Sequence, residues 1–310
     1  MASCGRSRGI RTFPTSSGSG CVHAHVNTIQ SLIHAAAARL ERAGLSASDA
    51  MFDAGLLARA VLGWDRATML TRAPASPPPG FAEAYETLVA RRERREPAAQ
   101  VLGFREFWGR PFEVTRDVLV PRPETELIVE ATLAFVNGAR ANGTPRIVDV
   151  GTGTGCLAIT LSLEAGVPVV ATDISGPALQ VARRNAHRLD AGDIHFVRTN
   201  LLDGLVPGFD AIVSNPPYVR TADRLALSPE VREYEPEEAL FGGPDGLDIV
   251  RALLDAVPDY LARDGRLFME FGAGQDDRVV ELFAERPRLR LDELREDLQG
   301  IPRMAIVATA

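Results

Sequence analysis

The chain has 310 residues, 45% of them hydrophobic and 24% charged, with a formal net charge of −7. This is enough chain for one large and one small domain of ordinary globular composition. No apolar run approaches the ~18 residues of a membrane-spanning helix, and the acidic balance argues against the broad basic face that nucleic-acid binding uses.

All 34 basic residues are arginine. With the abundant alanine this reflects GC-rich codon usage and points to a bacterial source. Three cysteines (Cys4, Cys21, Cys156) are odd in number and lack metal-ligand spacing, so a reduced, intracellular, cytoplasmic protein with no metal site is expected. Residues 1–25 contain no Asp or Glu. That composition resembles a transit peptide, but the lysine-free background favours a disordered tail or a start codon assigned too far upstream. The His23-x-His25 pair there reads as solvated.

Along the chain, Ile29, Leu32, Ile33, Ala36 and Leu40 have helical spacing within Asn27 to Gly44. A second helix is expected to be capped by Ser48 or Asp49 and to bury Phe52, Leu56, Leu57 and Val61. A short third helix follows Trp64 and ends before the proline-rich Pro74 to Pro79. Phe81, Tyr85, Leu88 and Val89 then lie on one side of a fourth. These pieces predict a small helical domain over 26–98, whose amphipathic stripes are most simply core and whose outer faces alone could recognise a partner. Phe104 to Thr115 alternates around Gly109-Arg110-Pro111, which predicts a β-hairpin linker within 99–120. Pro121-Arg122-Pro123 enforces extended chain before helical periodicity resumes over Glu124 to Phe135.

From Arg146 onward strands and helices alternate. Strands are expected at Ile147–Val150, Val167–Asp173, Ile194–Thr199, Asp210–Ser214 and Arg266–Phe271. Helices are expected at Cys156–Ala165, Ala178–Leu189, Ile249–Leu261 and Arg278–Ala284. Leu289–Leu294 and Met304–Ala308 read as a closing pair with a reversed edge strand. The pattern predicts an α/β, doubly wound, Rossmann-like sheet in a catalytic domain over 121–310.

Gly151-Thr152-Gly153-Thr154-Gly155 follows a strand and opens a helix, the context a cofactor loop needs. Missing side chains let a ligand approach the backbone, and the helix start offers unpaired N–H groups. Asp173, at the end of the next strand, can accept from ribose hydroxyls. Alone, such a loop is also compatible with a tight strand-to-helix turn and a surface aspartate. The Gly-x-Gly-x-Gly spacing, together with the tetrapeptide below, favours S-adenosyl-L-methionine over a dinucleotide. After the third strand, Asn200 can pair with an adenine edge. Leu201 can pack on its face, although plain core packing fits Leu201 nearly as well.

Asn215-Pro216-Pro217-Tyr218 ends the fourth strand. An amide nitrogen is a poor nucleophile because its lone pair is delocalised, so its orientation and the charge it develops both need help. The Asn215 side-chain oxygen and the Pro216 carbonyl are candidate acceptors for its two N–H groups. The prolines fix the backbone, and Tyr218 offers a face for a planar group. Asn-Pro pairs also form simple turns; at this place in such a fold the chemical reading is favoured. The predicted reaction is methyl transfer to an amide or amine nitrogen, with no strong general base.

Several further segments extend the pattern: Glu96-Pro97 through Gly103, Arg105-Glu106-Phe107-Trp108-Gly109, and Val120-Pro121-Arg122-Pro123-Glu124-Thr125-Glu126. They continue with Tyr234-Glu235-Pro236, Leu240-Phe241-Gly242-Gly243 with Asp245-Gly246-Leu247, and Asp297-Leu298-Gln299-Gly300. With the glycine loop and the tetrapeptide, they make the chain resemble the bacterial peptide chain release factor glutamine methyltransferases from about residue 26 to the end. The resemblance implies a release factor as partner, methylated on the side-chain amide nitrogen of the glutamine in its Gly-Gly-Gln motif. It implies cofactor contacts at Gly151 to Gly155, Asp173, Asn200, Leu201 and Asn215, and substrate contacts at Asn215, Pro216, Pro217 and Tyr218. Phe107 and Pro121 to Glu126 would wall the pocket, with Arg122, Glu124 and Glu126 serving either contact or structure. A monomer is expected. Asn200 and Leu201 stand where the family often has an acidic and an aromatic residue.

Methyltransferases acting on adenine in DNA or RNA share the tetrapeptide and stack a flipped base on its tyrosine. They would carry a basic face or target-recognition domain, and neither is evident. A sister family acts on a ribosomal protein, which the Pro121 to Glu126 run fits less well. A non-catalytic adaptor would be expected to have lost Asn215 or the glycines.

Overall fold

The structure, a computed structural model, describes residue 1, residues 28–139 and residues 143–310. The expectations for Cys4, Cys21, His23 and His25 fall outside the described residues.

Helix α1 (Ile29–Arg42) starts at Thr28, whose hydroxyl accepts from the Ser31 N–H. Helix α2 (Ala47–Leu62) is capped by Ser46, ahead of the expected Ser48 or Asp49, because the Ser46 hydroxyl reaches both the Asp49 N–H and its carboxylate. The expected buried face is also rotated. Ala50, Ala54, Leu57 and Ala58 are buried, whereas Phe52 is 64% exposed. Small residues sit at this seam, facing Ala36 and Ala37 of α1 in one cluster. Helices α3 (Arg66–Arg72) and α4 (Phe81–Glu93) follow, and Phe81, Tyr85 and Val89 complete the same core. A fifth helix, α5 (Ala98–Leu102), was not expected from the sequence.

Strands β1 (Phe104–Phe107) and β2 (Arg110–Glu113) form the anticipated hairpin. Its turn is Trp108-Gly109, both at positive φ, and Arg110 and Pro111 already belong to the strand. A two-stranded ribbon leaves an open edge where proline's missing N–H costs little. A 3₁₀ turn at Pro123–Thr125 leads into α6 (Glu126–Ala139).

The remaining strands are β3 (Ile147–Val150), β4 (Val169–Asp173), β5 (Ile194–Arg198), β6 (Phe209–Ser214), β7 (Leu261–Glu270), β8 (Leu289–Glu296) and β9 (Pro302–Thr309). They form one sheet in the order β5-β4-β3-β6-β7-β9-β8. The first five in that order are parallel. The reversed strand is β9, which pairs antiparallel with both β7 and β8 and therefore lies one place inside the edge; β8 is the edge strand. Alternate residues feed two layers. Ile147 and Val213 pack with α6 and α7 (Cys156–Ala165), while Val148, Val150 and Ile212 pack with α10 (Asp248–Tyr260) and α11 (Asp276–Ala284). Helix α8 (Gly176–Arg188) links β4 to β5, and α9 (Pro229–Tyr234) lies in the long connection after β6. The chain winds outward from β3 through β4 and β5, then returns to β6 on the other side of β3. The crevice at the carboxyl ends of β3 and β6 is the switch point where such sheets bind ligands.

The helical unit is tied to α9 by ions. Arg95 makes a two-pronged pair with Glu230 at 2.6 and 2.7 Å, and Arg92 bridges Glu230 at 2.9 Å and Asp53 at 2.6 Å. Burial pushes the Glu230 carboxyl up, but Arg95 and Arg92 outweigh it and bring it down to about 2. Burial lifts Asp53 despite Arg92, so Glu230 is the low carboxyl of the cluster. A depressed folded pKa contributes stability above the unfolded value, near 4.5, that is lost as pH falls towards 2. Glu230→Gln is therefore expected to cost about 3 kcal/mol at pH 7. Denaturant titrations at pH 7 and pH 3 should show the difference from wild type shrinking at the lower pH. An equal difference at both would contradict the assignment.

Candidate cofactor and acceptor site

The glycine loop leaves β3 with Gly151 at φ +75, Gly153 at +53 and Gly155 at +82, a region that suits glycine. Gly155 has a second constraint: a Cβ there would lie 2.9 Å from the Ile159 side chain and 3.1 Å from the Ala182 Cβ. The loop is anchored from beneath by Asp149, a buried carboxylate inside β3. Its Oδ2 accepts from the Thr152 hydroxyl at 2.6 Å and the Ala158 N–H at 3.1 Å. Burial raises this carboxyl to about 7, against those two hydrogen bonds. Thr154 is buried, and its carbonyl accepts from Asn185.

A cavity of about 180 Å³ opens at the carboxyl ends of β3, β4, β5 and β6. Gly151 and Gly153 line it, and Cβ atoms on either would meet no heavy atom within 4 Å, so the missing side chains leave free room. Asp173 lies on its wall, accepting from the Gly153 N–H at 2.9 Å and the Ser175 N–H at 2.8 Å, which fixes the carboxylate plane. Asn200 and Leu201 line it too, with Leu201 held at φ +48 and its carbonyl taken by the Thr172 hydroxyl. Ile174, Ala178 and Ile249 add apolar wall, while Asp117 and Glu238 join Asp173 as carboxylates. Three acids, apolar panels and an uncovered glycine loop suit a ligand that combines positive charge, a ribose and a flat base.

Asn215, Pro216 and Pro217 close the cavity from β6. Tyr218 does not line it; it faces a neighbouring open groove with Arg220, Asp223, Leu227, Gln275 and Arg278. The loop therefore stands between two spaces. Its backbone is clamped: the Val219 N–H donates to the Leu240 carbonyl, the Gly242 N–H donates back to the Val219 carbonyl, and Gln275 Nε2 donates to the Tyr218 carbonyl. Gly242 and Gly246 press on the loop so closely that a Cβ would lie 2.5 Å from the Pro217 oxygen and 2.3 Å from the Tyr218 oxygen, respectively. That explains the glycines of Leu240 to Leu247.

Below the loop, Asn215 Nδ2 donates to the Thr125 hydroxyl at 2.9 Å. The Thr125 hydroxyl donates to Glu270 Oε2 at 2.7 Å, and the Tyr218 hydroxyl meets Glu270 Oε1 at 3.3 Å. Glu270 is 3% exposed at the end of β7, and burial raises its carboxyl to about 7. Burial also lifts the Tyr218 phenol well above its ordinary value, so it stays neutral.

The structure thus gathers Gly151, Gly153, Asp173, Asn200, Leu201, Asn215, Pro216 and Pro217 around one cavity. Thr152, Thr154 and Gly155 support it from behind, and Tyr218 sits next door. Phe107 packs in the core, edge-on to Phe112 at 6.0 Å. Arg122 pairs with Glu235, and Glu126 accepts from the Trp108 N–H, both structural contacts. Cys156 is buried with its thiol pushed up to about 12 by burial, which makes it inert. Thr125 belongs to the Pro121 to Glu126 run expected to wall the pocket, whereas Glu270, Asp117 and Glu238 were not among the expected site residues; of these three, only Glu270, at a strand end, left any signal.

Residues 31–103 match the model of the PrmC N-terminal domain, and residues 128–229 match that of the methyltransferase small domain. The release factor glutamine methyltransferase of Bradyrhizobium diazoefficiens is 42% identical over 89% of this chain and 93% of its own length. The chain belongs to the release factor glutamine methyltransferase family. The family's Cereibacter sphaeroides protein is 40% identical over 88% of this chain and 95% of its own. Among solved structures, the hMettl16 catalytic domain in complex with MAT2A 3'UTR hairpin 6 superposes with a TM-score of 0.52 at 16% identity. It covers 68% of this chain and 81% of that one, a likeness of fold alone. Family membership and the cavity agree on an S-adenosylmethionine-dependent glutamine methyltransferase with a Rossmann-like catalytic fold. No helix among the described residues is long and apolar enough to cross a membrane.

Proposed function

We propose that the cavity holds S-adenosylmethionine and that the space beside Tyr218 receives the glutamine side chain of a Gly-Gly-Gln loop from a peptide chain release factor. The cofactor supplies an electrophilic methyl group on a sulfonium. The observation that carries the reading is the orientation of Asn215: its NH₂ end is committed to Thr125, so Oδ1 is the end left to accept. Oδ1 and the Pro216 carbonyl would each take one N–H of the substrate amide, orient its lone pair and stabilise the charge that develops. Tyr218 would lie against the amide plane. One amide proton then leaves to water, so no basic side chain is needed.

The cofactor residues are proposed as Gly151 to Gly155, Asp173, Asn200, Leu201 and Asn215, with Thr152, Thr154 and Gly155 acting through the loop's shape. Asp173→Ala is expected to weaken S-adenosylmethionine binding by about 100-fold, since two hydrogen bonds to a charged acceptor are each worth ~1.5 kcal/mol or more. Isothermal titration checks this, and a change under threefold would speak against ribose contact. The helical unit over 26–98, joined through the 99–120 hairpin to the catalytic part over 121–310, is proposed to hold the release factor. Action on release factors implies a cytoplasmic protein, acting as a monomer without direct nucleic-acid contact.

The test is transfer of labelled methyl from S-adenosylmethionine to an unmethylated release factor, with a control whose Gly-Gly-Gln glutamine is alanine. Label on the first and none on the second is expected. Equal label on both would sink the target assignment.

A further inference from the structure

We infer that Thr125 and Glu270 are positioning residues that set which end of the Asn215 amide faces the acceptor. The inference rests on the proposed role of Asn215 and adds the device that aims it.

The logic is one of hydrogen-bond polarity. An ionised carboxylate only accepts. Glu270 Oε2 therefore takes the single hydroxyl hydrogen of Thr125, at 2.7 Å. With its hydrogen committed, Thr125 Oγ1 can only accept from Asn215, at 2.9 Å. Asn215 must then present NH₂ downward and Oδ1 towards the reacting nitrogen. Reversing the amide would bring two lone pairs face to face in a site where Thr125 is 3% exposed. The second carboxylate oxygen receives the Tyr218 hydroxyl, so one buried charge orients both ends of the tetrapeptide.

Glu270 is faced by Glu124 before α6, which raises its carboxyl, by Arg303 of β9, which lowers it, by Tyr218, and by the neutral Cys156 of α7. Burial dominates and brings it to about 7. Above that pH the polarity is locked. Below it, protonated Glu270 can donate to Thr125, freeing the Thr125 hydrogen to turn to Asn215 and releasing the amide to flip. Activity should therefore rise with pH through a limb near 7.

The experiment compares full-length wild type with Thr125→Val, Thr125→Ser and Glu270→Gln, reading kcat against pH with release factor saturating. Thr125→Val is expected to lower kcat by about tenfold or more with little change in KM, whereas Thr125→Ser keeps it within about threefold. Glu270→Gln is expected to lose the limb near neutrality. The ¹⁵N-labelled side-chain amide of Asn215 should shift with the same midpoint in wild type and not in Thr125→Val, a reading independent of any methyl acceptor. Undiminished kcat in Thr125→Val overturns the inference. So does an equal fall in Thr125→Ser, which would assign the effect to packing, or an unmoved limb in Glu270→Gln. If Thr125→Val does not fold, the serine and glutamine variants decide. If wild type labels no release factor while the Asn215 amide still titrates, the proposed substrate fails and the orienting device stands.

Discussion

Asn215→Ala is expected to lower kcat by about 100- to 1000-fold, the usual cost of deleting one group aimed at developing charge. The side chain stands where the cofactor cavity meets the tetrapeptide loop, and Oδ1 is its free end. Because the oxygen is matched to charge that appears during attack, the loss should fall on kcat, with KM for the release factor changing by less than about threefold. Cofactor affinity should fall much less than in Asp173→Ala, since the ribose wall and the glycine loop remain. Steady-state kinetics and calorimetry on the same preparation separate these effects. A variant with normal kcat and raised KM would make Asn215 a docking residue and leave the acceptor role unsupported.

Gly242→Ala is expected to be nearly as damaging, although no atom of Gly242 is proposed to touch either substrate. The added methyl would lie 2.4 Å from the Gly246 oxygen and 2.5 Å from the Pro217 oxygen, both backbone atoms that cannot rotate aside. The loop must move. Overpacking of this kind costs about 1–3 kcal/mol, and a displacement near 1 Å at an acceptor can cost ~100-fold in rate. The expected result is a folded protein with a modestly lowered melting temperature, near-normal cofactor binding and about 100-fold lower kcat. Full activity would mean that the Phe241 to Gly246 clamp does not set the loop's position.

Much of this architecture could be read in advance from local chemistry. Ile147, Val148 and Val150 announce a strand buried on both faces, because they place apolar side chains on each side of the sheet. Gly151 to Gly155 and Asn215 to Tyr218 announce their turns because each needs special backbone or special side chains within a few residues. Errors arose where neighbours in space decide. Phe52 fits a helical stripe as well as Ala50, Ala54 and Ala58 do, and only the close facing alanines of α1 turn the smaller face inward. The Trp108-Gly109 turn displaced the proline because a non-glycine residue took positive φ. The pairing of Thr125 with Glu270 was invisible for a stronger reason. Thr125 lies 90 residues from Asn215 and 145 from Glu270, and only the folded sheet, at the carboxyl ends of β6 and β7, brings the three together.

The most direct test is a crystal structure of the full chain with S-adenosylhomocysteine and a release factor. The predicted result places the Gly-Gly-Gln glutamine nitrogen within about 3 Å of both Asn215 Oδ1 and the Pro216 carbonyl, with Tyr218 against the amide plane. The thioether sulfur should lie on the opposite side of that nitrogen, in the cavity lined by Gly151 and Asp173. A glutamine seated elsewhere, or an Asn215 that presents its NH₂ to the substrate, would contradict the account.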